Sequence, residues 1–150
     1  MAEKLVVYDS YFGNTQKIAE AIAESISGTA KKVNEVSAED LEGLKYLFIG
    51  SPTRGFRPTP AILDFIKDLD LSGVIAAAFD TRIPKDQTDS GFLKLMINLF
   101  GYADTKIAKA LTNAVAELTL ESAGFGVTAS EGPLVEGEIE RAKAWAQQAL

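Results

Sequence analysis

The chain has 150 residues, of which 47% are hydrophobic and 24% charged, a balance that fits one globular domain and argues against disorder. It contains no cysteine and no histidine, which excludes disulfides, thiolate metal sites and the Ser-His-Asp triad. Any redox chemistry would therefore need a bound organic cofactor.

The formal net charge of −6 disfavours nucleic acid as a partner, because a phosphate backbone needs a basic face, and it suits docking to a basic partner. No apolar run approaches the roughly 20 residues that span a bilayer. The first residues lack a signal-peptide pattern as well. We therefore expect a cytoplasmic protein without an integral membrane segment.

The first third of the chain alternates two kinds of hydrophobic pattern. Residues 4–8 and 46–50 each have a continuous apolar centre, which is typical of strands buried on both faces of a parallel sheet. Residues 15–26 repeat Ile and Ala at helical spacing and stop before Gly28. Residues 30–36 alternate valine with polar residues, which predicts a strand at the edge of the sheet.

The alternation continues to the end of the chain. Residues 60–69, 104–113 and 136–150 are predicted helices, the first opening on Pro60. An alanine-rich strand is expected over 74–79, and a fifth strand between 114 and 127, interrupted near 121–124. Strands alternating with helices predict βαβ crossovers and a doubly wound three-layer α/β architecture over a single domain, residues 1–150.

One segment does not fit the simple alternation of strands and helices. After the fourth strand, residues 80–87 are interpreted as a surface loop and 90–102 as a short helix that is apolar on nearly all sides. We interpret 81–102 as an inserted flap. Its apolar part, 92–102, is expected to be core or a surface for self-association, with a lid over a cofactor or a membrane-surface contact as alternatives.

The turn after the first strand is built to hold an anion. Its residues are Ser10, Tyr11, Phe12, Gly13, Asn14 and Thr15. In an open α/β sheet, ligands bind beyond the carboxyl ends of the strands, where strand order reverses. Backbone N–H groups of such a turn and of the helix that follows form an anion site. The turn lacks both the P-loop ending and the dinucleotide fingerprint, so it favours a single phosphate.

This turn resembles the phosphate loop of the flavodoxin family, usually [ST]-x-[ST]-G-x-T, which binds the 5′-phosphate of FMN. Two further stretches, 49–58 and 78–82, are similar to the family's two loops that border the flavin ring, and 131–145 resembles its closing segment. The resemblance covers nearly the whole chain. It implies a flavodoxin-like fold with a five-stranded parallel sheet in order 2-1-3-4-5, helices on both faces, and noncovalently bound FMN.

The resemblance also implies a set of cofactor-binding residues. Those next to the ring would be Pro52, Thr53, Arg54, Gly55, Phe56, Asp80, Thr81 and Arg82. The loop residues of the set are Ser10, Tyr11, Phe12, Gly13, Asn14 and Thr15. Of these, Ser10, Gly13, Asn14 and Thr15 would hold the phosphate, whereas Phe12 replaces a hydroxyl-bearing residue at an expected cost of about 0.5–1.5 kcal/mol in binding. Phe12 is expected to pack under the loop or cap the first helix, or else to contact the cofactor or a partner.

The chemistry near the ring differs from the usual flavodoxin pattern. Arg54, Arg57 and Arg82 would surround a ring that flavodoxins keep in an acidic setting. As a set these arginines could steady an anionic flavin or dock an anionic substrate. No metal ligands and no catalytic side chain are predicted.

Two functions follow from the resemblance. The first is a carrier that moves electrons between redox partners, either proteins or small-molecule acceptors, and the acidic net charge favours it. The alternative is an FMN-dependent oxidoreductase acting on a quinone, a porphyrinogen or a similar small molecule, which the arginines and the apolar flap favour. A third, weaker interpretation is a binding module that has lost tight FMN affinity.

Overall fold

Strands and helices alternate along the chain in the computed structural model, which describes residues 3–84 and 90–150. The strands are β1 (Lys4–Tyr8), β2 (Thr29–Lys32), β3 (Tyr46–Pro52), β4 (Ile75–Arg82) and β5 (Ala123–Gly126). The helices are α1 (Asn14–Ile26), α2 (Ala38–Leu41), α3 (Pro60–Lys67), α4 (Gly91–Phe100), α5 (Ala103–Asn113) and α6 (Glu138–Gln147). The short α2 has no counterpart in the sequence prediction.

The five strands form one sheet in the order β2-β1-β3-β4-β5, and every neighbouring pair is parallel. This confirms the predicted fold and strand order. In register, Tyr8 of β1 lies opposite Gly50 of β3, and Gly50 lies opposite Phe79 of β4. The three central strands therefore point the same way and send their following turns to one edge of the sheet.

Alternate residues of the central strands face opposite layers, as the pleat of a strand requires. Val6, Phe48 and Phe79 pack with α1 and α6, where the Trp145 ring meets the Phe48 ring edge-on at 5.6 Å. Residues one position along, including Leu5 and Ile49, pack with α3 and α5 on the other face. Helices thus cover both faces of the sheet, as predicted.

Close packing between β3 and β4 depends on a missing side chain. The aromatic ring of Phe79 lies against the backbone of Gly50, and a Cβ atom built on Gly50 would overlap that ring. Phe79 is fully buried, so the ring has no room to move aside. This contact lets β3 and β4 pack closely, and each of these strands leads into a turn at the same sheet edge.

Two strand boundaries differ from the prediction. β2 ends at Lys32 and continues as a 3-10 turn, Val33–Glu35, because Val33 and Val36 leave the sheet edge to pack against the layer that contains α3 and α5. In contrast, β4 runs on to Arg82 rather than becoming a loop at residue 80, since it pairs with β3 on one side and β5 on the other.

The fifth strand also differs in place. It occupies Ala123–Gly126, so it begins inside the stretch where an interruption was expected. The preceding residues contribute only an isolated bridge between Glu117 and Ile75. Gly124 lies under the guanidinium of Arg82, which fills the space that any side chain at that position would need. Such a contact across the sheet leaves no periodic signal in the sequence.

Helix α4 forms the apolar part of the predicted flap and has an exposed apolar surface. Ile97 of α4 is buried, whereas Phe92 and Leu99 are 72% and 66% exposed. Phe100 packs its ring against Phe56, with centroids 5.7 Å apart. Residues 85–87 of the predicted loop lie outside the described residues. Self-association through residues 92–102 stays a prediction.

The sequence predicts no integral membrane segment, and the helix lengths are relevant to this expectation. Among the helices in the described ranges 3–84 and 90–150, we find none long and apolar enough to cross a membrane.

A carboxylate ties α6 to β5. Glu138 accepts the N–H of Gly126 at 2.6 Å, and its two oxygens accept from Nε and Nη2 of Arg141 at 2.8 and 2.7 Å. Arg141 in turn lies over the Phe125 ring, 4.6 Å from its centroid. The hydrogen bonds from Arg141, followed by that from Gly126, lower the pKa of Glu138 against the effect of burial.

We predict that Gly50→Ala lowers the free energy of unfolding by about 3 kcal/mol, because the added methyl overlaps the buried Phe79 ring. Urea unfolding monitored by circular dichroism measures this loss. Gly91→Ala is the matched control, since nothing lies within 4 Å of a Cβ built there. A Gly50→Ala protein as stable as the control would contradict the packing argument.

We predict that Glu138→Gln lowers the free energy of unfolding by about 1 kcal/mol at pH 7, since hydrogen bonds to a charged group are lost. The folded-state pKa of Glu138 is depressed. Its stabilisation is therefore complete above the unfolded-state pKa, near 4.5, and is lost as pH falls through the lower folded-state pKa. The difference between wild type and variant should shrink in urea titrations below that pH. Glu24→Gln is the control, because Glu24 is exposed and 3.5 Å from Lys143. A deficit that does not change with pH would refute this assignment.

Candidate functional site

An open cavity of about 730 Å³ lies at the carboxyl edge of the sheet. The turns after β1, β3 and β4 line it, together with a segment after β5. The predicted residues on its wall are Ser10, Tyr11, Phe12, Asn14, Thr15, Pro52, Thr53, Arg54, Gly55, Thr81 and Arg82. Its volume is within the range of small-molecule and cofactor sites.

Hydrogen bonds between polar groups of the β1–α1 turn fix its shape. Ser10 Oγ accepts the N–H of Gly13 at 3.0 Å, and Asp9 Oδ1 accepts the N–H of Ser10 at 3.0 Å. Gly13 has φ +91°, a left-handed conformation that glycine adopts without strain. Its carbonyl accepts from Lys17 N–H, which forms the first turn of α1. Gly13 itself does not line the cavity but shapes the turn that does.

A buried pair of hydroxyls joins two of the cavity walls. Thr15 Oγ1 and Thr81 Oγ1 lie 2.7 Å apart, linking the start of α1 to the end of β4. Thr15 is 1% exposed and Thr81 is 4% exposed. Each hydroxyl still has capacity for a further hydrogen bond, so the pair can serve a ligand while it fixes the geometry of the wall.

The segment after β5 was missed as part of the site. Residues 129–132 line the cavity, and Asn14 Nδ2 donates to the carbonyl of Glu131 at 3.1 Å. Gly132 packs so closely on Asn14 that a Cβ there would lie 2.6 Å from Asn14 Oδ1. The available signal was the Glu-Gly-Pro turn after Val127, which the sequence analysis assigned only to the closing segment. Ile83 and Val127 also line the wall and carried no polar signal.

The β3–α3 turn is a two-residue hairpin. The backbones of Arg54 and Arg57 exchange hydrogen bonds of 2.8 and 3.0 Å, and Gly55 and Phe56 between them have φ +55° and +67°. Positive φ at both central positions is the signature of a tight hairpin turn. The turn is fastened to its neighbours through Thr53, whose N–H donates to the carbonyl of Thr81 at 2.9 Å.

Aromatic rings and a guanidinium form the outer rim. Cζ of Arg54 lies 4.6 Å from the centroid of the Tyr11 ring and 5.8 Å from that of Phe12. Both rings are about half exposed, at 56% and 47%. The sequence left open whether Phe12 packs under the loop, caps α1 or faces a cofactor or partner, and the structure has its side chain on the cavity wall.

Arg82 belongs to a buried charge network. Its Nε and Nη2 donate to the two oxygens of Asp80 at 2.6 Å each, and Nη2 lies 3.0 Å from an oxygen of Asp104. The Tyr102 ring covers the guanidinium, 3.8 Å from its centroid. Burial raises the pKa of Asp80 to about 6, against the opposing effect of Arg82. Arg82 is thus committed to protein carboxylates, although part of it reaches the cavity.

Two other predicted residues lie away from the wall. Asp80 is fully buried, where it accepts the N–H of Asp104 at 2.8 Å as well as the Arg82 guanidinium. Phe56 turns outward to the Phe100 ring of α4. Neither residue lines the cavity.

The cavity has the chemistry of an organic-ligand site. Its walls combine hydroxyls and the start of a 13-residue helix at one side with aromatic and arginine side chains at the other. A helix N-terminus with free polar groups favours an anion. Among the residues that the structure describes, no cluster of acidic side chains could hold a metal ion. These residues therefore fit a ligand with one anionic end and one flat apolar end, as a flavin phosphate has.

Comparison with known proteins places this geometry in a family. A family model described as a flavodoxin domain matches residues 5–99. A flavodoxin of Aquifex aeolicus (strain VF5) is 37% identical over 93 residues, covering 54% of this chain and 50% of that protein. The chain thus aligns with about half the length of this curated relative.

Solved structures agree on the fold. Oxidised flavodoxin 2 from Bacillus cereus has a TM-score of 0.75 at 24% identity, covering 99% of this chain and 97% of that one. The flavodoxin of Streptococcus pneumoniae TIGR4 gives 0.74 at 21%, covering 97% and 96%. Rubredoxin oxygen:oxidoreductase from Desulfovibrio gigas gives 0.67 at 20%, covering 97% of this chain but 35% of that one. With a family model that matches well over half of its residues, this chain belongs to the flavodoxin family.

Proposed function

We propose that the chain binds FMN noncovalently in the cavity at the sheet edge and carries electrons between redox partners. The observation that carries the proposal is the polar β1–α1 turn, which opens a 13-residue helix onto a cavity of about 730 Å³. Family membership supports a flavin as the ligand. Bound FMN would supply the capacity for one- and two-electron transfer.

We assign the phosphate end to the β1–α1 turn. Ser10 and Thr15 offer hydroxyls, Asn14 lies at the helix start, and Gly13 gives the backbone its tight course. The dipole of α1 and its unpaired N–H groups add to the attraction for a dianion. Because Phe12 supplies no hydroxyl, the phosphate has one hydrogen-bond donor fewer than the usual family loop provides.

We assign the ring end to the β3–α3 turn and the end of β4. Thr53, Arg54 and Gly55 line one side and Thr81 and Arg82 the other. Asp80 and Phe56 act from behind this wall, by orienting Arg82 and by packing the turn. The work of these residues is to bind and orient the ring and to exclude water from part of it.

The net charge of the chain and the opening of the cavity at the surface support the electron-carrier role. The net charge of −6 would favour docking to a basic face of a partner protein, and the cavity opens at the surface where such a partner can approach. We propose the cytoplasm as the compartment, in keeping with the family.

A second candidate is an FMN-dependent oxidoreductase acting on a small molecule such as a quinone or a porphyrinogen. One observation favours it. The apolar surface of α4 meets the β3–α3 turn at Phe56, while Arg54 and Arg57 form no ion pair with any residue in the described part of the chain. An apolar surface beside unpaired cations suits an anionic, partly apolar substrate.

We predict that Ser10→Ala weakens FMN binding by about 2- to 12-fold, the equivalent of one neutral hydrogen bond, while riboflavin binding changes less than about 2-fold. Titration of the flavin-free protein, followed by quenching of flavin fluorescence, measures both affinities. Ser25→Ala is the matched control, because Ser25 lies at the far end of α1, where its hydroxyl donates to the carbonyl of Ile22. Equal affinity of the wild type for FMN and riboflavin, or no FMN binding at micromolar concentration, would refute the phosphate assignment.

We predict that the FMN-loaded protein transfers electrons from an NADPH-dependent flavoprotein reductase to cytochrome c, with a rate that saturates in its own concentration. The flavin-free protein is the control and should transfer none. Absorbance of cytochrome c under anaerobic conditions gives the rate. Direct turnover of NADPH with a quinone, in the absence of the reductase, would replace the carrier by the second candidate.

A further inference from the structure

A second cavity of about 400 Å³ adjoins the first on the outer side of the β3–α3 turn. It shares Tyr11 and Arg54 with the larger cavity. Its wall also includes Arg57, Thr59, Leu63 and Asp64. The pocket thus lies between the β1–α1 turn, the β3–α3 turn and the first turn of α3.

Two cations face this pocket side by side. Arg54 and Arg57 are paired as opposite residues of an antiparallel bridge, and such residues project their side chains to the same face. Like charges directly opposite one another destabilise a hairpin. Both side chains are exposed, and neither has a carboxylate within ion-pair distance among the described residues. This unfavourable pairing would be relieved by an anion bound between them.

The donors of Arg54 are available to a ligand. Its side chain forms no hydrogen bond or ion pair with any residue that the structure describes. Cζ of Arg54 lies 4.6 Å from the Tyr11 ring centroid, within the range of a cation–π attraction. The fork of N–H donors of the guanidinium suits a planar oxyanion. Tyr11 is 56% exposed, so its ring also offers an apolar surface to a ligand.

A buried hydroxyl in the wall lacks a partner. Thr59 is 1% exposed, and its Oγ1 has no hydrogen bond with any residue that the structure describes. The backbone of Thr59 is fully used, since its N–H donates to Ser51 Oγ at 2.9 Å and its carbonyl accepts from Ile62 N–H at 3.2 Å. A ligand oxygen that reached this hydroxyl would satisfy a group that is otherwise unfavourable to bury.

We propose that the second cavity binds an organic carboxylate with an apolar body. Two guanidiniums and the Asp64 carboxylate leave one net positive charge, which matches a monoanion better than a phosphate dianion. Tyr11 and Leu63 supply the apolar contact. The carboxylate lies between Arg54 and Arg57, and the apolar body lies along Tyr11.

Binding in this pocket does not require a flavin, but its use as a substrate site rests on the proposed function. Because Tyr11 and Arg54 belong to both cavities, an anion in the second lies next to whatever fills the first. The ligand would then be the anionic substrate of the second candidate function, held at the rim of the flavin site.

The test uses 2-naphthoate as the probe and neutral 2-naphthamide as its matched analogue, titrated by calorimetry into the FMN-loaded protein. We expect the carboxylate to bind at least about 10-fold more tightly than the amide, as charge-assisted hydrogen bonds imply. Arg57→Gln should weaken naphthoate about 10-fold and leave naphthamide unchanged. Lys109→Gln removes one positive charge outside both cavities and should change neither affinity.

Three results would overturn the proposal. They are equal binding of naphthoate and naphthamide, equal losses in Arg57→Gln and Lys109→Gln, and a loss of FMN affinity in Arg57→Gln, whose side chain does not line the larger cavity. Thr59→Val provides a second variant, expected to weaken naphthoate without weakening FMN. If the wild type fails to bind FMN yet binds naphthoate in this pattern, the proposed function fails and this site stands.

Discussion

The parallel register of β1, β3 and β4 is the constraint on which the site depends. Tyr8, Gly50 and Phe79 lie in one row across the three strands, so the turns that follow begin at nearly the same level. The pairing then continues past the strands, because Thr53 N–H donates to the Thr81 carbonyl and the Thr15 hydroxyl meets that of Thr81. The cavity walls are therefore extensions of the sheet. A site built in this way is fixed before any ligand arrives, which reduces the ordering cost of binding.

The arginines around the site fall into two groups with different roles. Arg82 is enclosed by Asp80, Asp104 and the Tyr102 ring, and it joins β4 to the start of α5. Removing one partner of such a buried pair would leave an uncompensated charge, so this arginine serves the fold. Arg54 and Arg57 are exposed and have no carboxylate partner within the described residues, so their positive charges are available to a ligand. The sequence analysis treated all three arginines alike, because residue order alone does not show that Asp80 and Asp104 enclose Arg82 while Arg54 and Arg57 stay exposed.

Sequence reasoning succeeded where the signal is local. The apolar run of β1, the polar turn after it and the periodic α1 lie within some 25 residues, and each pattern specifies its own conformation. It failed where contacts join distant segments. The place of β5 depends on Arg82 lying over Gly124, and the wall formed by residues 129–132 depends on Asn14 reaching the carbonyl of Glu131. The placement of Phe12 was left open for a related reason, since its neighbour Arg54, 5.8 Å from the ring centroid, comes from a different turn.

The segment interpreted as an insertion connects to the site through one strained residue. Phe56 has φ +67°, and a left-handed conformation costs a residue with a side chain roughly 1–2 kcal/mol. That conformation is what closes the two-residue turn and sets Arg54 opposite Arg57. The Phe56 ring packs on Phe100 at the end of α4, a contact whose favourable energy offsets the strain. Helix α4 thus supports the β3–α3 turn, which contributes Arg54 to both cavities. A change in α4 would therefore reach the arginines before it reached the polar β1–α1 turn.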